Sequence, residues 1–294
     1  MFISAEVKTA EWESIMGRNI LVTEHLKAFS DYLAEEEKSA VTIEKYLRDV
    51  RAFFVFAEGQ AVTKELTMSY KKQLIDRGYK AESVNSMLAS INSLLRFLGW
   101  EDCRVKSLRT QRKAYCPEER ELTKAEYLRL LAAAEGQPRL RLILETICGT
   151  GIRISELQYF TVEAVRQGEV HVSCKNKTRT IFIPGKLKKR LLAFAKARSI
   201  RRGIIFCTKS GKAVNRSNIW AAMKRLCEAA GVSASKVFPH NLRKLFARTF
   251  YGLEKDIAKL ADILGHSSIN TTRIYIMSSG SEHRKKIERL GLVV

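Results

Sequence analysis

Between Phe238 and Tyr275 the chain carries four side chains whose types and spacing suit chemistry at a charged centre: His240, Arg243, His266 and Tyr275. His240 and Arg243 are three residues apart, so on a helix they share a face and reach one object together. His266 follows Leu264-Gly265, where a glycine suits a helix end and a backbone turn. Tyr275, nine residues on, is the nucleophile of the group. A fifth side chain, Arg153, lies upstream in CGTGIRISEL, where Gly149-Thr150-Gly151 permits a sharp turn between an apolar helix and the next one. Glu156, three residues after Arg153, can orient its guanidinium or simply complement a helix dipole as a first-turn acid. Imidazoles, guanidiniums and a phenol fit an anionic phosphorus centre better than a carbonyl or a sugar. A His-x-x-Arg or a Gly-His alone is common on basic helices; the meaning lies in the set.

The elements that must position these groups can be read from periodicity. Residues 169–184 alternate apolar and polar, with Val170, Val172, Ile181 and Ile183 around a Lys175-Asn176-Lys177 tip, which predicts a β-hairpin, with Ile204 to Thr208 as a candidate third strand. Helices are expected from Leu122 to about Ala133, over Arg139–Cys148, from Arg153 to about Phe160, over Leu187–Arg198 and Asn218–Ala230, and finally from about Glu282 to Leu290. Thr123 and Glu126 have the spacing of a capping box. The N-terminal part reads as four helices without strands: Thr23–Ala34 behind a threonine cap, a long helix from about Ala40, Leu66–Arg77, and Ala81–Leu98. Phe53 and Phe54 sit on an apolar stripe that reads as core and not as a base-stacking platform. The fold class is therefore mainly α: an N-terminal four-helix bundle and an α-rich second domain with a small antiparallel sheet. The boundaries expected are an arm over residues 1–19, a helical domain over 20–105, a linker over 106–120 and a second domain over 121–294.

Composition limits the partners. Of 52 Lys+Arg and 31 Asp+Glu, 18 and 16 fall in residues 1–113, leaving 34 and 15 in residues 114–294, so nearly all of the net +21 belongs to the second part. Such an excess calls for an anionic partner. It is spread over many elements instead of one amphipathic helix, which favours a long polyanion over a membrane surface. No 18-residue apolar run and no basic leader before an apolar segment appear, so neither a spanning helix nor a secretory signal is expected. The six cysteines, at 103, 116, 148, 174, 207 and 227, form no metal-ligand spacing and read as reduced thiols; no metal or cofactor is expected. The basic linker can strap along a DNA backbone or be a solvated connection.

Taken together, Arg153-x-x-Glu156-Leu157, the basic hairpin, His240-x-x-Arg243 and Leu264-Gly265-His266 followed by Tyr275 resemble the tyrosine recombinases, especially the Xer-type group, in order and over roughly residues 20–290. The resemblance implies a core-binding domain and a catalytic domain that clamp double-stranded DNA, and a cytoplasmic, nucleoid-associated enzyme. It implies that Tyr275 attacks the scissile phosphate to form a 3′-phosphotyrosyl link, with Arg153, Arg243, His240 and His266 meeting the phosphate. A hairpin lysine would protonate the departing 5′-oxygen. The tip here, Ser173-Cys174-Lys175-Asn176-Lys177, departs from the family's Gly-Lys-Gly-x-Lys by one residue, so Lys175 is assigned with Lys177 as the alternative. The resemblance further implies a homo-tetramer on DNA, alone or with a related recombinase, and an apolar tail (Leu290, Leu292, Val293, Val294) that docks on a neighbouring protomer. A DNA-binding regulator, which has no need of Tyr275, and a monomeric topoisomerase of type IB are the competing readings.

Overall fold

The computed structural model describes residues 19–110, 121–174, 177–208, 210–277, 284–285 and 287–291. The chain forms two compact units, Met1–Arg112 and Lys113–Val294.

The first unit is built from α1 (Thr23–Glu35), α2 (Ala40–Ala57), α3 (Lys64–Asp76) and α4 (Ala81–Phe97), followed by a 3₁₀ turn at Glu101–Cys103. Val84, Leu88, Ile91, Leu94 and Leu95 make the inner stripe of α4. They bury against Phe29, Leu33, Val50, Phe53 and Leu74 from the other three helices. Phe53 is fully buried and Phe54 half-buried, so both belong to the core side of α2. Ser39 and Thr63 cap α2 and α3 through the amides of Thr42 and Leu66. The cap at Thr63 is why α3 begins at Lys64, earlier than the apolar pattern suggests. The threonine cap expected for α1 is not formed: Thr23 is the first helical residue, Val22 holds the cap position, and the Val22 amide donates to His25 Nδ1 at 3.3 Å.

The second unit runs α5 (Lys124–Ala133), α6 (Pro138–Thr150), a 3₁₀ helix (Ile154–Tyr159), α7 (Val162–Gln167), β1 (Glu169–Cys174), β2 (Lys177–Phe182), α8 (Gly185–Ala197), α9 (Arg216–Ala229), α10 (Pro239–Glu254), α11 (Ile257–Leu264) and α12 (Ile269–Ile276). The capping box forms as its spacing predicts: the Glu126 amide donates to Thr123 Oγ1 at 3.1 Å and the Thr123 amide to Glu126 Oε2 at 2.8 Å. The hairpin is antiparallel, with Val170 opposite Ile181, Val172 opposite Arg179 and Cys174 opposite Lys177. The third strand expected at Ile204–Thr208 does not form. That segment makes only single bridges, Thr161 to Ile204 and Cys207 to Ala213, because its neighbours are loops with no ladder to offer. Two further expectations shift at the turn before Arg153. Gly149 is still helical and only Gly151 turns, at φ +65°. Arg153 caps a 3₁₀ helix and does not open an α-helix. Residues 282, 283, 286 and 292–294 of the last expected helix and tail lie outside the described residues; residues 284, 285, 287 and 288 are helical. No helix among the described residues is long and apolar enough to cross a membrane.

α10 packs on α6 and on α12, and α11 packs on both α12 and β2. This arrangement brings the ends of α6 and α11, the start of α10 and the middle of α12 to one place.

One charge in the first unit lies where the apolar stripe gives no hint of it. Asp49 is buried on α2, where Oδ2 meets Lys45 Nζ at 2.9 Å and accepts from Ser90 Oγ at 3.0 Å. Lys45 also donates to the Ser86 carbonyl at 2.6 Å, so the network ties α2 to α4. Asp49→Ala strips three donors, Lys45, Arg48 and Ser90, of an acceptor. It is expected to destabilise the chain by about 1–3 kcal/mol, read as a lower urea midpoint with an unchanged m-value.

Candidate active site

The three arginines of the site are arranged around the C-terminal end of α11. Gly265, at φ +63°, ends that helix, and the His266 amide returns to the Ala261 carbonyl at 2.9 Å. The Leu264 carbonyl then accepts from Arg243 Nη2 at 2.5 Å and from Arg179 Nη1 at 2.6 Å. The Gly265 carbonyl accepts from Arg153 Nη2 at 3.3 Å. A helix C-terminus carries unpaired carbonyls and partial negative charge, so it suits guanidiniums.

Glu156 supplies the cluster's carboxylate. Although it is 2% exposed, every contact is charge-assisted: Oε1 accepts from Arg153 Nη1 at 3.1 Å, and Oε2 from the Arg153 amide and Arg179 Nη2, each at 2.7 Å. Of the two roles open to it in the sequence, Glu156 orients the guanidinium and also caps the 3₁₀ helix. Three guanidiniums face one carboxylate, which leaves the cluster positively charged.

Arg243 is the largest fully buried side chain, at 1% exposed. Its Nη1 donates to the Gly151 carbonyl, which the left-handed turn at the end of α6 directs inward. A Cβ at Gly151 would stand 2.3 Å from Phe246 Cδ1, so both the turn and the packing require glycine there. Burial, then the charge of Arg153, lowers the Arg243 pKa to about 10, which still leaves it cationic at neutral pH.

His266 is neutral by geometry. Its Nε2 lies 3.1 Å from Arg243 Nη2, which can only donate, so Nε2 accepts. The ring proton therefore sits on Nδ1 and is donated to Thr272 Oγ1 at 2.9 Å. Burial and the neighbouring Arg243 and Arg153 push its pKa down to about 4. His240 is exposed at the first turn of α10, its pKa also lowered, first by desolvation of the ring and then by Lys244 and Arg243. Tyr275, on α12 and 7% exposed, closes the group. Its Oη is 3.2 Å from His240 Nδ1, and its ring lies 4.8 Å from that of His240, 4.9 Å from that of His266 and 5.9 Å from the Arg243 guanidinium carbon.

Five of the six side chains singled out in the sequence thus come together: Arg153, His240, Arg243, His266 and Tyr275. Lys175 lies outside the described residues, and Lys177 is placed by its backbone alone, at the start of β2. Sequence reasoning missed two members. Arg179 carried a signal, since the alternation that puts Ile181 and Ile183 inward puts Arg179 on the same face. Thr272, fully buried beside His266, carried none. No group of His, Cys, Asp and Glu that could hold a metal occurs among the described residues.

Comparison with known proteins identifies the family. Residues 120–282 match the profile described as Phage integrase family, and residues 26–102 match Phage integrase, N-terminal SAM-like domain. Tyrosine recombinase XerA of Pyrococcus furiosus is 27% identical over 286 residues, covering 95% of this chain and 98% of that protein. Tyrosine recombinase XerD of Vibrio cholerae is 30% identical over 222 residues, covering 70% and 74%. Among solved structures, a lambda integrase (75-356) dimer bound to a COC′ core site superposes with a TM-score of 0.71 at 20% identity, over 88% of this chain and 96% of that one. The chain belongs to the phage integrase family and is a tyrosine recombinase of the Xer type, a site-specific DNA recombinase.

The histidine geometry has a consequence for pH. The folded pKa of His266, about 4, lies below its ordinary 6.5, so the unfolded chain binds more protons between these values. The stability this neutral histidine contributes is complete above about pH 6.5 and is lost as the pH falls toward 4. The melting temperature of the wild type should therefore fall more steeply from pH 7 to 4.5 than that of His266→Gln, which cannot titrate. Parallel curves would contradict the assignment.

Proposed function

We propose that this recombinase cuts double-stranded DNA with Tyr275, assembled within one chain against Arg153, Arg243, His240 and His266, and reseals it from a 3′-phosphotyrosyl intermediate. The observation that carries this reading is the contact of Tyr275 Oη with His240 Nδ1, inside the arginine cluster. A neutral imidazole, favoured by the depressed pKa of His240, can take the phenol proton as the oxygen attacks phosphorus. The bond from phosphorus to the 5′-oxygen breaks, and that oxygen leaves as a hydroxyl once protonated. Lys175 is the donor we assign, with Lys177 as the alternative. Rejoining is the reverse: a 5′-hydroxyl attacks the phosphotyrosine and Tyr275 recovers its proton.

Negative charge grows on the phosphate's outer oxygens in the transition state, and fixed guanidiniums meet it without reorganising. Arg153 and Arg243 fill this role because their charge is not balanced inside the cluster: Arg153 shares the Glu156 carboxylate with Arg179, and Arg243 is held by the Gly151 and Leu264 carbonyls. Arg243 Nε has no acceptor among the described residues, a donor the phosphate can satisfy. His266, aligned by Thr272, sits beside the same oxygens.

The partner is DNA, held by the basic second unit, with the helical domain over residues 20–105 as a further DNA-binding element. The assembly is a homo-tetramer on two duplexes, acting in the cytoplasm. Lambda integrase is known both as a dimer on a core site and as a tetramer bound to a Holliday junction. In this chain an apolar groove of about 320 Å³, lined by Tyr127, Leu128, Leu245, Phe250 and Leu253, lies on the second unit with Leu128 and Leu253 exposed. It is the seat we assign to the apolar tail of a neighbouring protomer.

Tyr275→Phe should form no denaturation-resistant adduct with DNA while binding the site as the wild type does, and wild-type cleavage should persist in excess EDTA. An adduct from the variant, or a strict need for Mg²⁺, would overturn the reading. For the acid, Lys175→Ala should slow cleavage by about 10²- to 10⁴-fold, and a substrate with sulfur at the 5′-bridging position should recover it, since a thiolate leaves unprotonated. Recovery of Lys177→Ala instead, with Lys175→Ala silent, moves the role to Lys177. Deleting residues 291–294 should preserve binding to a single site but weaken paired-site complexes in gel shifts. Wild-type assembly by the truncated chain would show that the tail has no part in joining protomers.

A further inference from the structure

Arg179 is the charged side chain of this site that the proposed chemistry leaves without a task. It stands on β2 opposite Val172, on the strand face that also buries Ile181, and its side chain is only 13% exposed. Its two terminal nitrogens do different things. Nη2 donates to Glu156 Oε2 at 2.7 Å, and Nη1 donates to the Leu264 carbonyl at 2.6 Å. One end thus holds the carboxylate that orients Arg153. The other holds the last carbonyl of α11, one residue from the carbonyl that receives Arg153 and two from His266. The backbone makes room for it: a Cβ at Gly265 would stand 2.4 Å from Arg179 Nη1 and 2.9 Å from its Cδ. Gly265 is therefore needed twice, for its positive φ and for the passage of this guanidinium.

Of the two anchors of Arg153, Arg179 grips one directly, Glu156, and holds the carbonyl one residue before the other. The Arg153 side chain is held by Glu156 Oε1 and by the Gly265 carbonyl. Without Arg179, Glu156 keeps only its contacts to Arg153 itself, which can swing with it, and the Leu264–Gly265 turn loses its tie to the hairpin. We propose that Arg179 is a positioning residue of this recombinase: by gripping Glu156 and the Leu264 carbonyl at once, it fixes the direction in which Arg153 presents its guanidinium to the scissile phosphate. This rests on the reading of Arg153 as a phosphate ligand. It separates Arg179 from Arg153 and Arg243, read as the phosphate ligands, because both of its terminal nitrogens serve the supports of Arg153.

The test is a double-mutant cycle on single-turnover cleavage of a DNA site, measured with the full chain. Arg179→Gln, which keeps a polar side chain but loses the two-ended grip, is expected to slow cleavage by about 100-fold, the scale of a misplaced catalytic group. In an Arg153→Ala chain the same substitution should change the rate less than about twofold. Arg179→Lys retains the charge and reaches one of the two acceptors; it should slow the wild type by a smaller factor and leave Arg153→Ala unaffected. It also serves should the glutamine variant fail to fold. Equal losses in both backgrounds would show that Arg179 acts on the phosphate or on the fold independently of Arg153, and would overturn the proposal, as would a wild-type rate for both Arg179 variants. A second cycle, on the binding of tungstate as a phosphate mimic, measures the same coupling without cleavage. Failure of the wild type to form a Tyr275 adduct would then count against the proposed reaction alone, while additive losses in tungstate affinity would count against Arg179.

Discussion

The C-terminal end of α11 is the point on which the site depends. Two consecutive carbonyls, Leu264 and Gly265, accept hydrogen bonds from Arg243, Arg179 and Arg153. Three guanidiniums this close would repel one another, and the helix terminus together with buried Glu156 is what offsets that repulsion. The offset is partial, since one carboxylate stands against three cations. An arrangement left cationic and fixed in place is preorganised for an anion that brings the missing charge. It also bears on the histidines, since burial first and then the same positive field lower the pKa values of His240 and His266.

The packing of four other elements of the second unit serves that convergence. α10 lies on α6 so that Arg243 reaches Gly151, and the left-handed turn there presents the carbonyl that Arg243 needs. β2 runs beside α11 and brings Arg179, while α12 returns across α10 so that Tyr275 faces His240. The groups proposed as nucleophile, base and phosphate ligands therefore lie together within one chain.

Local regularities made much of this legible in the sequence. The i, i+3 spacing of His240 and Arg243, the glycine before His266 and the apolar periods of the helices report on neighbours within a turn or two, and they placed the elements to within a few residues. The failures were of a different kind. The third strand needed a partner ladder that no local alternation can guarantee. The capping role given to Thr23 fell to Val22, because the first turn is closed by His25. Arg179 was overlooked although its register put it inward, because the acceptors that make a buried arginine tolerable lie 23 and 85 residues away. Asp49 was hidden in the same way, its partner Ser90 being 41 residues on. Spacing named the groups, and only tertiary contacts show which carbonyls and carboxylates hold them.

The central claim, that one chain carries a complete site, can be tested by mixing two defective proteins on a DNA site that traps cleavage. Tyr275→Phe lacks the nucleophile and Arg243→Ala lacks a buried guanidinium. Since Tyr275 contacts His240 of its own chain, a mixture should form no more covalent adduct than the Arg243→Ala protein forms alone. Adduct restored toward the wild-type level would mean that one chain lends its tyrosine to the arginines of another, and would contradict a site completed within a single chain.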